Sequence, residues 1–209
     1  MNGKMGVPDR GKVSVFQVRL RCEAAPKIGC GSRSKPVLRD LERVPSIREA
    51  WLNEAGNLIA VVRTPTAAGA ASIDPVLVVF RKHRIAVEAL RGERFANALK
   101  DFASLSGWLR GADVDRLSEE EARAIAARFV ARLRARSAVP GHLVIALEDA
   151  VIRACADQLI RAPSQSPVTR KRRLASAVLA AAREQLGAAE YAAFADVVKL
   201  GHRPLRGER

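Results

Sequence analysis

Aromatic residues make up only 4% of this 209-residue chain, and cysteine occurs three times. No apolar run approaches the about 18 residues that a membrane-spanning helix requires, so an integral membrane protein is not expected. The segment Met1 to Lys12 is polar and lacks the apolar core of a secretory signal, which makes the cytoplasm the expected compartment. Cys22, Cys30 and Cys155 are too few and too scattered for a disulfide framework. The spacing Cys22-x7-Cys30 is not that of a zinc knuckle, so reduced thiols are expected. His83, His142 and His202 lie far apart, and no glycine-rich phosphate loop, H-E-x-x-H or nucleophile motif accompanies them. A non-enzymatic protein is the expectation.

Positive charge is what the chain has in excess. Thirty-six Lys and Arg against 22 Asp and Glu give a formal charge of +14, with 18 basic and 9 acidic residues in 1–100 and 18 and 13 in the rest. Such an excess favours polyanions, nucleic acid among them. Arg outnumbers Lys and Ala is abundant, so part of the excess reflects composition.

Two differently built parts follow from the periodicity. Val15 to Cys22 alternates, with Phe16, Val18, Leu20 and Cys22 on one face and Gln17, Arg19 and Arg21 on the other, as in a strand with one buried face. Pro36 suits the first turn of a helix carrying Val37, Leu38, Leu41 and Val44, which Pro45 stops. Ile47 to Leu52 and Leu58 to Arg63 read as strands joined by a hairpin containing Gly56. Thr64 to Ser72 reads as a loop, Asp74-Pro75 opens a short helix bearing Val76, Val79 and Phe80, and Ile85, Val87 and Ala89 alternate again. The order is that of a ferredoxin-like βαββαβ domain, residues 13–92, after a disordered N-terminus, 1–12.

From residue 93 to 201 every periodic segment is helical, and a small helical bundle is expected before a frayed tail, 202–209. Phe95, Leu99 and Phe102 share a stripe. Ser118-Glu119-Glu120-Glu121 has the form of a capping box opening a helix with Ile125, Phe129, Val130 and Leu133. Leu147, Val151, Cys155 and Leu159 mark a second long helix and Leu174, Val178, Ala182 and Leu186 a third, after a turn at Pro163 to Pro167. Tyr191, Phe194 and Val198 mark a last one ended by Gly201. The whole is an α+β chain.

Leu41-Glu42-Arg43-Val44-Pro45-Ser46-Ile47, then Gly56 to Val62, then Phe80 to Val87, together resemble the heavy-metal-associated domain over residues 13–90. That family's metal loop, M-x-C-x-x-C, precedes its first helix. In this sequence Cys30 stands at the first thiol position, Arg33 at the second and Ile28 at the methionine. The chain is also similar to a cysteine-free branch of the superfamily whose first strand reads arginine-leucine-arginine, as Arg19-Leu20-Arg21 does. The resemblance implies an accessory or sensor protein of metal homeostasis with at most a single-thiol site for a soft ion such as copper or zinc. A metal-transporting ATPase is the implied partner.

Read by themselves, the residues single out Cys30, flanked by Lys27, Arg33 and Lys35, as the candidate metal thiol. Cys22 could join it if the Glu23–Gly29 loop folds back. The open sheet face is expected to carry Gln17, Arg19, Arg21, Trp51, Ile59 and Val61. Its central strands lack the aromatics on which RNA bases stack, so a partner surface is expected there, covered by the C-terminal helices or by a second copy in a homo-oligomer. Arg19, Arg21 and Trp51 are its candidate contacts. The alternative function, a basic nucleic-acid-binding accessory protein, rests on Arg128, Arg132 and Arg136 along one helix and Arg170, Lys171, Arg172 and Arg173 at the start of another.

Overall fold

Alternation over Val13–Val18 produces strand β1, and Leu20 and Cys22, which continue its pattern, are buried beyond its end. A computed structural model describes residues 13–65, 74–161 and 167–207. The expectations for residues 1–12, for most of the loop Thr64 to Ser72 and for the turn after Pro163 lie outside those residues. Two compact units divide the chain. Met1–Arg21, Lys27–Gly29 and Arg33–Val114 make the first, and Cys22–Pro26, Cys30–Ser32 and Asp115–Arg209 the second.

The first unit continues with α1 (Gly31–Glu42), β2 (Ile47–Asn53), β3 (Leu58–Arg63), α2 (Asp74–Lys82), β4 (Val87–Ala89), α3 (Gly92–Ala103), β5 (Trp108–Leu109) and a 3-10 turn, Gly111–Val114. Its five strands form an antiparallel sheet in the order β4-β1-β3-β2-β5. Helix α1 begins at Gly31, five residues before Pro36, which therefore sits inside the helix rather than opening it. The turn between β2 and β3 depends on Gly56. Its φ is +68°, and a Cβ there would meet the Gly29 Cα at 2.4 Å and the Leu20 carbonyl oxygen at 2.7 Å. No side chain fits that contact.

Register decides which residues share a face. Phe16 pairs with Ile59 and Ser14 with Val61, so Ile59 and Val61 lie on the Phe16 face, where Phe80 of α2 stacks on Phe16 at 5.4 Å. The sequence placed them on the opposite face, because a continuous apolar strand gives no alternation from which to read orientation. The other face carries Val13, Val15, Trp51, Ala60 and Val62.

That second face is covered from within the same unit. Ala98 and Phe102 of α3, with Trp108 of β5, complete a buried cluster on it, and Phe102 sits edge-on to Trp51 at 6.0 Å and to Trp108 at 4.9 Å. The division between the units therefore falls at Val114, about a helix later than the boundary at 92 read from the sequence. An amphipathic stripe such as Phe95, Leu99 and Phe102 shows that a helix packs, and leaves open what it packs on. Strand β5 has two residues and no readable period.

In the second unit the helices are α4 (Asp115–Arg134), α5 (Gly141–Arg161), α6 (Pro167–Arg183) and α7 (Ala188–Lys199). Phe129 of α4 meets Phe194 of α7 edge-on at 6.1 Å, and Leu147, Val151, Leu174 and Val178 are buried with them. Among the described residues no helix is long and apolar enough to cross a membrane.

Candidate thiol and carboxylate site

All three cysteines belong to the core of the second unit, and none forms a disulfide. Cys22 is 2% exposed, Cys30 5% and Cys155 0%. Cys22 and Cys30 come together because Arg21 and Gly29 form an antiparallel bridge, closing the loop between them as the sequence required for a pair. Successive side chains alternate about such a bridge, so the residues that follow Arg21 and Gly29 project to one common side.

Glu121 is the group they share. The Cys30 thiol donates to its Oε2 at 3.8 Å, and Cys22 donates to the same carboxylate. Cys30 also lies 3.4 Å from the Ser32 hydroxyl, and the Cys22 sulfur accepts the Ala25 N–H at 3.3 Å. Burial pushes the Glu121 carboxyl above its ordinary range, while the two thiol hydrogen bonds and the Arg170 charge pull it back. Burial, then the Glu121 charge, drives the Cys22 thiol strongly upward. The same two causes push Cys155 up to about 12. The thiols of Cys22 and Cys155 are accordingly protonated donors at neutral pH rather than nucleophiles.

Sequence reasoning missed Glu121. Ser118-x-x-Glu121 has the spacing of a capping box, but α4 begins at Asp115, so both residues lie within the helix. Ser118 and Glu121 are 1% and 6% exposed, and the Ser118 hydroxyl has no hydrogen-bond partner. A surface cap does not need that burial. The available signal was the apolar stripe itself, since Ser118 and Glu121 fall in phase with Ile125 and Phe129.

Sulfur donors select soft ions, so the donor chemistry at Cys22 and Cys30 fits such an ion. The resting geometry is one of hydrogen bonds. Among the described residues no group of three or more His, Cys, Asp and Glu side chains is placed to hold a metal ion.

The remaining candidates separate into used and exposed residues. Arg128 donates to the carbonyls of Ala24 at 2.9 Å and His202 at 2.7 Å. Arg132, 7% exposed, donates to those of Gly201 and Arg203. These two hold the backbone of their own unit and are not available to phosphates. The expected frayed tail is therefore tied down at Gly201, His202 and Arg203. Arg136, Lys171, Arg172 and Arg173 are exposed and Arg170 is half-buried.

In the first unit Arg19 and Arg21 are exposed, as a docking surface requires. Trp51 is not: it is 7% exposed under Phe102, its Nε1 donates to Glu49, and the Arg110 guanidinium lies 5.8 Å from its ring centre. Asp40 of α1 binds Lys82 at 2.8 Å and His83 at 2.9 Å, tying α1 to α2. The Lys82 hydrogen bond leads in holding its carboxyl down at about 2.

Beside this geometry, comparison with known proteins adds no relative: no protein-family model, no curated protein and no solved structure matches the chain.

Proposed function

We propose that the protein is a non-enzymatic, cytoplasmic sensor or accessory protein of metal homeostasis. Its first unit is a ferredoxin-like domain of the heavy-metal-associated type with a degenerate metal loop, followed by a helical bundle. The element order β1-α1-β2-β3-α2-β4 and the strand order β4-β1-β3-β2 support that assignment. The observation that carries the function is the shared carboxylate of Glu121, which gathers Cys30, at the family's first thiol position, and Cys22 into one buried pair. A soft ion such as copper or zinc is the input. To bind, it must draw both thiols away from Glu121 and displace their protons, so loading changes the local structure. That is the behaviour of a sensor more than of a carrier, with a metal-transporting ATPase as the partner that receives the signal.

Titration of the reduced protein with Cd2+ tests this directly. Wild type is expected to develop the ultraviolet thiolate-to-metal absorption to a defined end point, and Cys30→Ser to lose most of it. Absence of that absorption in wild type overturns the reading.

A second reading, nucleic-acid binding, is favoured by the exposure of Arg136, Lys171, Arg172 and Arg173. Its mark is duplex affinity that falls steeply with salt, with a shallower slope when Lys171, Arg172 and Arg173 are replaced by Gln. Affinity indifferent to those replacements removes it.

A further inference from the structure

Three consecutive carbonyls, those of Gly201, His202 and Arg203, are all held by two arginines of one helix. Arg128 and Arg132 stand four residues apart on α4, the spacing that puts two side chains on one face. Gly201, with φ at +83°, turns the chain at the end of α7 so that these carbonyls reach them. Of this segment only the Gly201 N–H serves the helix itself, donating to the Val198 carbonyl. Val197 and Val198 already accept the hydrogen bonds that close α7.

What the segment does reach is the thiol loop. One guanidinium, that of Arg128, holds the carbonyl of Ala24 with one nitrogen and that of His202 with another. The Arg203 side chain pairs with Glu23. Ala24 and Glu23 lie directly beside Cys22, whose sulfur accepts the Ala25 N–H. Two segments distant in sequence are thus fastened to each other through a planar fork whose donors are fixed in direction.

From this geometry we infer that residues 201–203 form a strap which, through Arg128, holds the Cys22–Pro26 loop closed and so controls chemical access to Cys22 and Cys30. With the strap fastened, both thiols are shielded, at 2% and 5% exposed. Release of the Ala24 and His202 carbonyls frees the loop without disturbing Cys155, which is buried within α5. The inference concerns access to the thiols by any thiol reagent. It stands whether or not a soft ion is the natural input.

The experiment is alkylation of the reduced, full-length protein by iodoacetamide, with the rate at each cysteine read by peptide mass spectrometry. In Arg128→Gln, which loses the charge-assisted hydrogen bonds to both Ala24 and His202, the rates at Cys22 and Cys30 are expected to rise at least about tenfold. The Cys155 rate, which reports opening of the helical core, is expected to stay at the wild-type value. Unchanged rates at Cys22 and Cys30 overturn the inference. So does a rise at Cys155 in step with theirs, because that is general destabilisation. If Arg128→Gln does not fold, Arg128→Lys carries the same test. It keeps the charge and one hydrogen bond but lacks the fork that bridges two carbonyls, and a smaller rise confined to Cys22 and Cys30 is expected.

Discussion

Both tryptophans lie in the first unit and all three cysteines in the second. The first unit closes both faces of its sheet with apolar side chains, and its buried carboxylate, Asp40, is paired with the basic Lys82 and His83. The second buries Glu121, Ser118, Arg132 and three thiols among its helices. Burying a carboxylate opposes stability unless partners offset the loss of water. In the second unit the two thiols are the partners that Glu121 has. The contrast gives each unit its own reporter: tryptophan emission for the first, thiol labelling for the second.

The largest expected effect separates the two. Phe102→Ala removes the ring packed between Trp51 and Trp108 and should cost about 3–5 kcal/mol in the first unit. Urea unfolding followed by tryptophan emission should shift to much lower denaturant. Cys155 labelling is expected to respond less, and an equal response would merge the two units into one.

A smaller effect sharpens the account of the polar margin of the first unit. The Asp40 carboxyl is depressed from 3.8 to about 2, so its stabilisation is complete above its unfolded value and is lost as pH falls through that window. Asp40→Asn should cost on the order of 1 kcal/mol at neutral pH, because Lys82 is largely exposed and screened. The difference between wild type and variant should vanish toward pH 2. A pH-independent difference in urea midpoint would contradict the assignment.

Glu121 has the opposite sign and the smallest effect on stability. Its raised carboxyl means that the folded state favours the proton, so wild-type stability declines as pH rises above the ordinary value of 4.5. Glu121→Gln, which retains an acceptor for the thiols, removes that decline. Thermal melts followed by circular dichroism should show the variant gaining on wild type by a few degrees at most between acid and neutral pH. A variant that instead loses ground as pH rises would mean that the carboxylate charge stabilises the bundle.

Elements with a clear period or a strong punctuation mark were legible in the sequence. Strands β2 and β3 around Gly56, helix α2 after Asp74, and the stripes of α5 and α7 all stand where the pattern put them. Orientation and pairing were harder. Leu58 to Val62 is apolar on both faces, so register with β1 alone decides that Ile59 faces Phe80 while Ala60 faces Phe102. Of the residues gathered around Glu121, Cys30 and Cys22 were candidates in the sequence. Glu121 was hidden because a capping box and a buried carboxylate share the same four-residue spelling. Arg128 and Arg132 read as a basic ridge, since a sequence does not show which carbonyls a guanidinium will find.

Protection of individual thiols by Cd2+ tests the central claim most directly, that Cys22 and Cys30 act together as the responsive element. In the reduced wild-type protein, Cd2+ should slow alkylation of Cys22 and Cys30 in parallel, and in Cys30→Ser it should leave Cys22 as reactive as without the ion. Protection of Cys22 that survives in Cys30→Ser, or no protection of either thiol in wild type, would contradict the account.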